Sequence, residues 1–554
     1  MIKNTKKKCI CILVIFAICF SYLAWRVYYF SFLHRNELMV NLNAQNSSIE
    51  KTCDINYNVV DSKGKQLINF SDEYYAVINP YLIVYNSDSN INELYSLTYS
   101  LRNFNKDYDL FNTQIINTSQ KLYWKIDKDT YDKISSIKNV KGFYPLKISA
   151  VDRTIDSDIC SIITNIKKTV QKKDAATGES KDVEIDKSQD SLEMTLYNKF
   201  KNMDYPKRVF QNDASGNLLK IEDVSNMDST YVTLTIDKDM VNKVKEVLGK
   251  KDYANYKQIG VVIMESSTGA IRAMVQKDDY QPNINLGIGQ YTYLPGSIFK
   301  TIVEEAGLES KTISLYDRFD SKGVYSEHRN DGEITPERAY IISSNNAFSH
   351  IGEKVGYNNI KKYAKAQGLT DSVLGIDREG IGHFEVKAEE PIESQISNVS
   401  IGQLMKITPL EAISIPNTVI NNGVYVKPYL IDGITIDGKT EKSNVETKRV
   451  LSSNTANIMA NQMRAVVTDS EGTGELAYVK GVDIGGKTGT PERTEADKAG
   501  NLVKHDDGWF VGFYSNGGEY YSMVVFVEDI GNSDGGTTAA PLFRDIVANL
   551  SNKY

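Results

Sequence analysis

The chain has 554 residues, a length that fits two or three domains, and its 41% hydrophobic and 24% charged residues are typical of a folded protein. Its net charge of −7 argues against the basic surface that nucleic-acid-binding proteins need, so no nucleic-acid partner is expected. Five cysteines are too few for a disulfide framework and contain no Cys-x-x-Cys metal pattern. Cys53 and Cys160 could pair only within one exported domain, and free thiols are the favoured interpretation.

The N-terminus has the pattern of a membrane anchor. Four lysines within residues 3–8 precede an apolar run at residues 9–25, which Arg26 closes. Aromatic residues continue the run, so residues 9–30 are the predicted transmembrane segment. The basic flank predicts that residues 1–8 lie in the cytoplasm and that the rest is exported across the bacterial cell membrane. A cleaved signal peptide is the alternative, and the lack of a small-x-small cleavage site favours a retained anchor.

Two segments of different character follow the anchor. Residues 31–54 are polar and rich in Asn and Ser, which indicates a juxtamembrane linker. Residues 55–228 alternate short strand-like runs with charged turns, which predicts a mostly β domain. Within it, residues 171–188 are highly charged and lack an apolar period, which predicts a mobile loop.

Residues 229–554 read as a second domain of mixed helices and strands. Strand-like runs flank turns at residues 267–269 and 516–518 and predict two β-hairpins, one early and one late. A helix at residues 541–550 closes the chain. This order predicts a sheet with helices on its faces. The helix-like segments between the hairpins are residues 298–308, 336–355, 408–419 and 456–467.

The first motif with chemical content is SIFK at residues 297–300, which follows a Pro-Gly turn. A helix that begins there leaves free backbone N–H groups beside Ser297. Residues three apart share a helix face, which places the Lys300 amine next to the Ser297 hydroxyl. A desolvated lysine can lose its proton and activate a serine, so the pair suggests a nucleophile and its base. Alone, the motif also arises by chance.

The second motif is SSN at residues 343–345. If the backbone is not regular helix there, the Ser343 hydroxyl and the Asn345 amide can face one cleft. Ser343 could then relay a proton to a leaving group, and Asn345 could hold a substrate amide. A helix cap is the plain alternative, because Ser and Asn are favoured at helix N-termini.

The third motif is KTGT at residues 487–490. An alternating strand turns Lys487 and Gly489 to one side, where glycine lets a ligand approach the backbone closely. Lys487 offers positive charge for a substrate carboxylate, and the N–H of Thr490 could polarise a carbonyl oxygen. A Gly-rich loop with an exposed lysine is the alternative.

The three motifs occur in one order, S-x-x-K, S-x-N and K-T-G, which β-lactamases and penicillin-binding proteins share. The chain resembles the class B (monofunctional) penicillin-binding proteins over roughly residues 55–550. Asn56-Tyr57 and Leu404 depart from that family's pattern, and neither position supplies a reactive group. Further matching segments are LTID (234–237), residues 264–274, IGQ (401–403), TPL (408–410), GTG (472–474) and GWFVG (508–512), with DSKGKQL (61–67), SLE (191–193) and YN (197–198) upstream.

The resemblance implies an α+β fold like that of the serine β-lactamases, with a central antiparallel sheet flanked by helices. It implies that residues 55–228 form an elongated pedestal of the dimerisation type and residues 229–554 the transpeptidase domain. By matching position, Ser297 resembles the acylated nucleophile, Lys300 its general base and Ser343 the proton relay.

The remaining positions resemble substrate contacts. Asn345 resembles the side chain that bonds the substrate, and Lys487 an electrostatic partner. Thr488, Gly489 and Thr490 resemble the substrate-binding strand, and the N–H groups of residues 297 and 490 resemble the oxyanion hole.

The implied reaction is the cross-linking of peptidoglycan stem peptides. A nucleophilic serine attacks a D-Ala–D-Ala donor, D-Ala leaves, and an amine of a neighbouring stem takes the acyl group. The implied partners are those stem peptides, β-lactams and a membrane glycan polymerase of the SEDS type, and no cofactor is implied. A D,D-carboxypeptidase, a β-lactamase or a β-lactam-binding sensor or scaffold on the same fold is the alternative. The biological role in elongation, division or sporulation stays open.

One histidine raises the question of a metal. His505 lies in an acidic stretch with Glu492, Glu495, Asp497 and Asp506 nearby in sequence, and such side chains can hold Zn²⁺. No His-x-x-x-His or cysteine pairing supports a site, so a solvated loop without metal is the favoured interpretation.

Overall fold

A computed structural model describes residues 2–33, 47–84, 91–112, 120–173, 179–212, 218–289, 291–325, 331–496 and 502–552. The chain forms two compact units whose segments interleave along the sequence. The smaller unit comprises Met1–Asn56, Phe70–Val151 and Asp204–Asn226, and the larger unit comprises Tyr57–Asn69, Asp152–Met203 and Met227–Tyr554.

The chain begins with a long helix, Ile2–Tyr28, which continues as a π-helical turn, Tyr29–Leu33. Its apolar stretch Ile10–Phe32 has a mean hydropathy of 2.3 and is long enough to cross a bilayer. None of the most apolar window is buried against other described residues. The predicted apolar N-terminal helix is therefore confirmed, and it is consistent with a single-pass membrane anchor.

Two three-stranded antiparallel sheets build the smaller unit. Ser47–Lys51 is a strand within the stretch predicted as a linker, and residues 34–46 of that stretch lie outside the described residues. Ile78, Leu97 and Leu101 are among the buried side chains between the second sheet and its helices. In sheet order, the strands are Ser47–Lys51, Lys207–Asn212 and Leu218–Val224, then Leu122–Ile126, Phe70–Ile78 and Phe143–Val151, and the helices are Pro80–Val84, Ile91–Phe104 and Lys128–Ile134.

The prediction of a mobile loop at residues 171–188 is wrong for its described part. Lys167–Lys173 pairs antiparallel with Ser180–Asp186, with Val170 opposite Val183. One face is partly buried only at Lys168, Val170, Val183 and Ile185, and the rest of both strands is exposed, so the apolar alternation is too short to stand out among the charged residues. Lys167 and Asp186 form an exposed ion pair of 2.6 Å across the two strands.

The larger unit holds a five-stranded sheet in which every neighbouring pair is antiparallel, as predicted. Alternate residues of its central strand face opposite sides, since Met523 and Val525 join one core while the Ser522 hydroxyl donates to Asn417 across the other face. Its strands are β1 Gln258–Glu265, β2 Ile271–Gln276, β3 Ile484–Gly489, β4 Gly508–Asn516 and β5 Glu519–Glu528, in the order β2-β1-β5-β4-β3.

Helices flank this sheet and confirm the predicted α+β architecture. The helices of the larger unit include α1 Lys238–Leu248, α2 Lys300–Glu309, α3 Pro336–Ile341, α4 Asn345–Val355, α5 Tyr357–Ala366, α6 Ile392–Ser400, α7 Pro409–Ala412, α8 Ser414–Ile420, α9 Ser453–Thr468 and α10 Ala539–Leu550. This unit also contains the helices Ile159–Thr164 and Leu192–Phe200. A four-stranded sheet consists, in order, of Lys439–Lys442, Ile431–Ile436, Tyr231–Leu234 and Asn58–Val60. Separate strand pairs are Phe319–Asp320 with Glu333–Ile334, His383–Phe384 with Met405–Lys406, Val424–Val426 with Thr447–Arg449, and Glu492–Ala496 with Leu502–Asp506.

The helix predicted at residues 336–355 is broken in two. Ser343 adopts a left-handed backbone conformation with φ of 59°, which ends α3. Ser344 then begins α4 as its N-cap, because its side chain accepts the N–H of Ala347. The break turns the Ser343 side chain out of the helical path.

A buried ion pair lies under the helix Leu192–Phe200. Glu193 is completely buried and accepts a hydrogen bond of 2.8 Å from the Lys187 ammonium. Its second oxygen accepts the backbone N–H of Asp377, and Lys187 also donates to the carbonyl of Ile162. Glu193 therefore joins three chain segments of the larger unit through one carboxylate.

We expect Glu193→Ala to lower the free energy of unfolding by about 3–5 kcal/mol, because Lys187 would keep a buried charge without its partner. Replacing both partners, Lys187→Met with Glu193→Leu, should recover most of that loss. Chemical denaturation of the purified variants measures both effects. Asp190→Ala, at an exposed position in the same turn, is the matched control and should stay within about 0.5 kcal/mol of wild type.

Candidate active site

The turn that presents Ser297 is held by close backbone packing. Gly296–Phe299 forms a 3₁₀ turn that runs directly into α2, and Ser297 is half-buried. A side-chain carbon on Gly402 would lie 2.2 Å from the carbonyl oxygen of Gly296, whose N–H donates to the carbonyl of Gly402. On its other side, Gly296 packs against Pro491. These contacts give a structural reason for the glycine in the IGQ segment.

Lys300 lies one turn further along, at the start of α2, and is completely buried. Its ammonium nitrogen donates to the carbonyl oxygen of Ser343 at 2.6 Å and to Oδ1 of Asn345 at 2.7 Å. The Ser343 hydroxyl lies 3.2 Å away. The first two motifs therefore meet at the Lys300 side chain.

Lys487 reaches the same hydroxyl from the edge of the central sheet. It lies on β3 and is completely buried, and its Nζ donates to Ser343 Oγ at 2.9 Å and to the carbonyl of Thr488 at 3.1 Å. Burial disfavours the charged amine and lowers the pKa of Lys487 to about 7. An amine with that pKa can exchange a proton at neutral pH.

One cleft contains most of the other residues that the sequence analysis predicted to be functional. Ser297 and Ser343 line it together with Thr488, Gly489 and Thr490, while the buried Lys300 and Lys487 lie behind Ser343. A side-chain carbon on Gly489 would lie 2.7 Å from the carbonyl of Pro295, so glycine lets β3 approach the turn that carries Ser297. The other residues that line the cleft are Gly472, Thr473, Glu475, Leu476, Asp534, Gly536 and Thr537.

Sequence reasoning missed the contacts that hold the cleft walls. Thr488 donates its hydroxyl to Thr473 at 2.7 Å, and Thr490 accepts the N–H of Gly535 at 3.0 Å. The GTG segment at residues 472–474 was a signal for the first contact. Nothing in the local pattern around residue 535 indicated the second.

Two aromatic rings lie beside the lysines, and these too were missed. The Lys300 nitrogen lies 5.4 Å from the ring centre of Phe348, and the Lys487 nitrogen 5.7 Å from that of Tyr340. Both distances are within the range of cation–π attraction. The Tyr340 hydroxyl also forms a hydrogen bond with Thr301, which joins α3 to α2. A helical run of apolar residues does not reveal which of them will contact a lysine.

The helix that carries Lys300 also carries two buried carboxyl groups. Glu304 and Glu305 are completely buried, and burial raises the pKa of each to about 8. The amide of Gln462 donates to Glu304 at 2.8 Å, and that of Gln367 donates to Glu305 at 2.5 Å. Burial therefore favours the neutral form of both carboxyl groups at pH 7.

His505 lies within hydrogen-bond distance of a carboxylate. Its Nδ1 lies 3.0 Å from Oδ1 of Asp529, and the neighbouring Asp507 pairs with Arg493. Among the described residues, no group of three or more His, Cys, Asp or Glu side chains is placed to hold a metal ion. The side chain of Glu495 and the whole of Asp497 lie outside the described part of the chain, and a metal-free loop stays a prediction.

We expect Glu304→Gln combined with Glu305→Gln to stabilise the protein at about pH 8 and to change little at about pH 5. The folded protein keeps both protons up to about pH 8, whereas the unfolded chain loses them near pH 4.5, so wild-type stability falls as pH rises between these values. The amide variant has no proton to lose, and the gain is on the order of a few kcal/mol. Thermal midpoints at the two pH values measure it.

Glu309→Gln is the matched control on the same helix. Although burial acts in the other direction, hydrogen bonds from Ser452 and Thr455 lower the pKa of Glu309. Its removal should therefore destabilise the protein at about pH 8. A double amide variant that is no more stable than wild type at that pH would contradict neutral carboxyls on α2.

Comparison with known proteins agrees with this arrangement. A family model described as the penicillin binding protein transpeptidase domain matches residues 259–548, slightly more than half of the chain. Stage V sporulation protein D of Bacillus subtilis is 29% identical over 355 residues, which cover 58% of this chain and 53% of the relative. A peptidoglycan D,D-transpeptidase FtsI homolog of Mesostigma viride is 26% identical over 374 residues, which cover 58% of this chain and 61% of the relative. The matches thus span little more than half of these relatives' lengths.

Solved structures show the same fold. A peptidoglycan synthetase from Bifidobacterium adolescentis superposes with a TM-score of 0.62 at 19% identity, over 92% of this chain and 96% of the other. Penicillin binding protein 3 from Mycobacterium tuberculosis, complexed with aztreonam, superposes with a TM-score of 0.52 at 20% identity, over 69% of this chain and 92% of the other. The resemblance inferred from the three motifs is confirmed. The chain belongs to the penicillin-binding proteins that carry a transpeptidase domain.

Proposed function

We propose that the protein is a peptidoglycan D,D-transpeptidase that cross-links stem peptides through an acyl enzyme on Ser297. The observation that carries the proposal is the convergence of Lys300 and Lys487 on the Ser343 hydroxyl, at 3.2 and 2.9 Å, beside the cleft that Ser297 lines. Relatives named as peptidoglycan D,D-transpeptidases support the choice of substrate.

In the first step, the hydroxyl of Ser297 attacks the carbonyl of the penultimate D-Ala of a donor stem, and Lys300 accepts its proton. Residues 297 and 300 share a helix face, and hydrogen bonds to Ser343 and Asn345 fix the amine. The backbone N–H groups of Ser297 and Thr490 stabilise the oxyanion.

The departing D-Ala then needs a proton on its amine. Ser343 supplies it, because its hydroxyl contacts both lysines and can be reprotonated from either. Lys487 with Thr488 and Thr490 receives the terminal carboxylate, and Asn345 receives the stem amide. The pKa of Lys487 is about 7 without substrate, so an approaching carboxylate favours its charged form.

In the second step, an amine of a neighbouring stem attacks the acyl carbonyl and gives up one proton through Ser343 to Lys300. Lys300 then returns this proton to the departing oxygen of Ser297. The new amide replaces the D-Ala–D-Ala bond, so atoms and charges balance without a cofactor.

The proposal extends to placement and partners. We also propose the domain boundaries predicted from the sequence, which are a pedestal at residues 55–228 and a catalytic domain at residues 229–554. The N-terminal helix anchors the chain with residues 1–8 in the cytoplasm, which the lysine-rich flank supports, so the cleft lies outside the cytoplasm. β-Lactams, which mimic the donor, and a membrane glycan polymerase of the SEDS type are the proposed partners.

A fluorescent penicillin should label the wild-type full chain covalently, and Ser297→Ala should abolish the label because no nucleophile remains. Denaturing gel fluorescence measures the adduct. Ser310→Ala, at the end of α2 and outside the cleft, is the matched control and should label like wild type. Labelling of Ser297→Ala would overturn the assignment.

Product analysis with a D-Ala–D-Ala donor and an added amine acceptor separates transfer from hydrolysis in the same preparations. A new amide product supports the proposed transpeptidase. A protein that acylates and yields only the free acid is a carboxypeptidase, which would refute transfer while leaving Ser297 in place.

We expect Gly402→Ala to slow the labelling of Ser297 roughly ten- to hundred-fold, because a methyl group 2.2 Å from Gly296 must displace the nucleophile turn. Gly438→Ala is the control, since its φ of 78° is as unfavourable for alanine as the 76° of Gly402 but no neighbour lies within 4 Å. The second-order rate constant of penicillin labelling measures the effect. Equal rates in the two variants would show that this contact does not position Ser297.

A further inference from the structure

A second groove of the larger unit is lined mainly by positive charge. One wall is the end of α5, and the other is the strand pair Val424–Val426 and Thr447–Arg449. We call it the cationic groove. Five cationic side chains and only two carboxylates line it, and these are Lys362, Lys365, Lys427, Lys448 and Arg449, with Asp371 and Glu446.

Within the described part of the chain, these five cationic side chains lack the carboxylate partners that other exposed lysines of the larger unit have. None forms an ion pair with a carboxylate of the described residues, whereas the exposed Lys354 and Lys387 pair at 2.6 and 2.8 Å with Asp317 and Glu390. The whole chain has a net charge of −7, so the positive charge of this groove runs against the overall balance. Local positive charge in a concave surface concentrates anions there.

Hydrogen bonds and buried side chains hold the walls of the groove. Arg449 donates to the backbone carbonyls of Asn422 and Leu451 at 2.8 and 3.2 Å, which holds its guanidinium in place. Tyr363 and Tyr425 are buried in the two walls and fix the helix and the strand pair behind the charges. The cations therefore sit on ordered elements, and a ligand would not have to immobilise a loop.

We propose that the cationic groove binds an extended polyanion of the cell envelope, a flexible chain that carries phosphodiester or carboxylate groups. Lys362 and Lys365 lie on one wall and Lys427, Lys448 and Arg449 on the other, which suits successive charges of a linear chain better than one small anion. Both tyrosines are largely buried, so the groove offers no exposed ring on which a nucleic-acid base could stack. The proposal concerns a site separate from the catalytic cleft. Its choice of a cell-envelope polymer rests on the proposed location of this unit outside the cytoplasm and not on the transpeptidase chemistry.

The test uses the full chain in a non-ionic detergent and two fluorescently labelled polymers, poly(glycerol phosphate) and polygalacturonate. Fluorescence anisotropy should show binding of at least one of them, and the polymer that binds identifies phosphodiester or carboxylate as the preferred charge. Binding should weaken at least roughly ten-fold between about 50 and about 200 mM salt, because several counterions are released. Binding of neither polymer would overturn the proposal.

Charge reversal locates the interaction. Lys365→Glu with Lys448→Glu should lower the affinity roughly ten-fold or more, because it changes both walls of the groove. Lys251→Glu with Lys480→Glu, at exposed positions that do not line the groove, makes the same change in net charge and should alter the affinity less than about two-fold. Equal losses in the two variants, or no loss in the groove variant, would refute the groove as the site.

Far-UV circular dichroism and the thermal midpoint report whether each variant is folded, and neither measurement depends on the catalytic assignment. If the glutamate variant is unfolded, Lys365→Gln with Lys448→Gln replaces it, and this variant should also bind more weakly than wild type. An amide variant that binds the polymers with wild-type affinity would refute the proposal, just as a charge-reversal variant with unchanged affinity would.

Discussion

Two buried lysines share one serine hydroxyl, and the arrangement of the larger unit depends on that contact. The nitrogens of Lys300 and Lys487 lie 3.2 and 2.9 Å from Ser343 Oγ. Two ammonium groups this close, and out of water, would repel each other strongly. Burial lowers the pKa of Lys487 to about 7, so one of the two amines can be neutral under ordinary conditions. The proposed mechanism, in which the site takes up a proton and returns it, needs this balance.

Three elements from distant parts of the sequence deliver these groups. The start of α2 carries Lys300, the edge strand β3 carries Lys487, and the break between α3 and α4 carries Ser343. The left-handed conformation of Ser343 costs roughly 1–2 kcal/mol, and its hydrogen bonds with the two lysines offset that cost. Backbone strain is thus located where the side chain has to face the cleft.

The sequence predicted much of this site because its motifs encode local geometry. The spacing of residues 297 and 300 places both on one helix face, and the hairpins around residues 267–269 and 516–518 predict an antiparallel sheet. The second motif raised a non-helical backbone or a helix cap at residues 343–345, and Ser344 is the N-cap of α4, but the otherwise continuous helical pattern of residues 336–355 led to the prediction of one helix. The hairpin of Lys167–Lys173 and Ser180–Asp186 escaped recognition because an exposed two-stranded ribbon needs no apolar face. Partners such as Gln462 for Glu304 depend on tertiary packing alone.

The buried carboxyls of α2 bear on the base that the proposed mechanism needs. Glu304 follows Lys300 by four residues on the same helix, so the two side chains leave neighbouring turns of one face. An ionised carboxylate in that position would favour the ammonium form of Lys300 and oppose its action as a base. Burial raises the pKa of Glu304 to about 8, which keeps that carboxyl neutral at pH 7 and removes the opposition. By contrast, Glu193 accepts hydrogen bonds from Lys187 and from a backbone N–H and lies in a part of the fold where a fixed charge joins chain segments. Glu304 and Glu193 thus show two outcomes for a buried acid in the larger unit, a neutral carboxyl on the helix of the proposed base and a carboxylate paired with a lysine elsewhere.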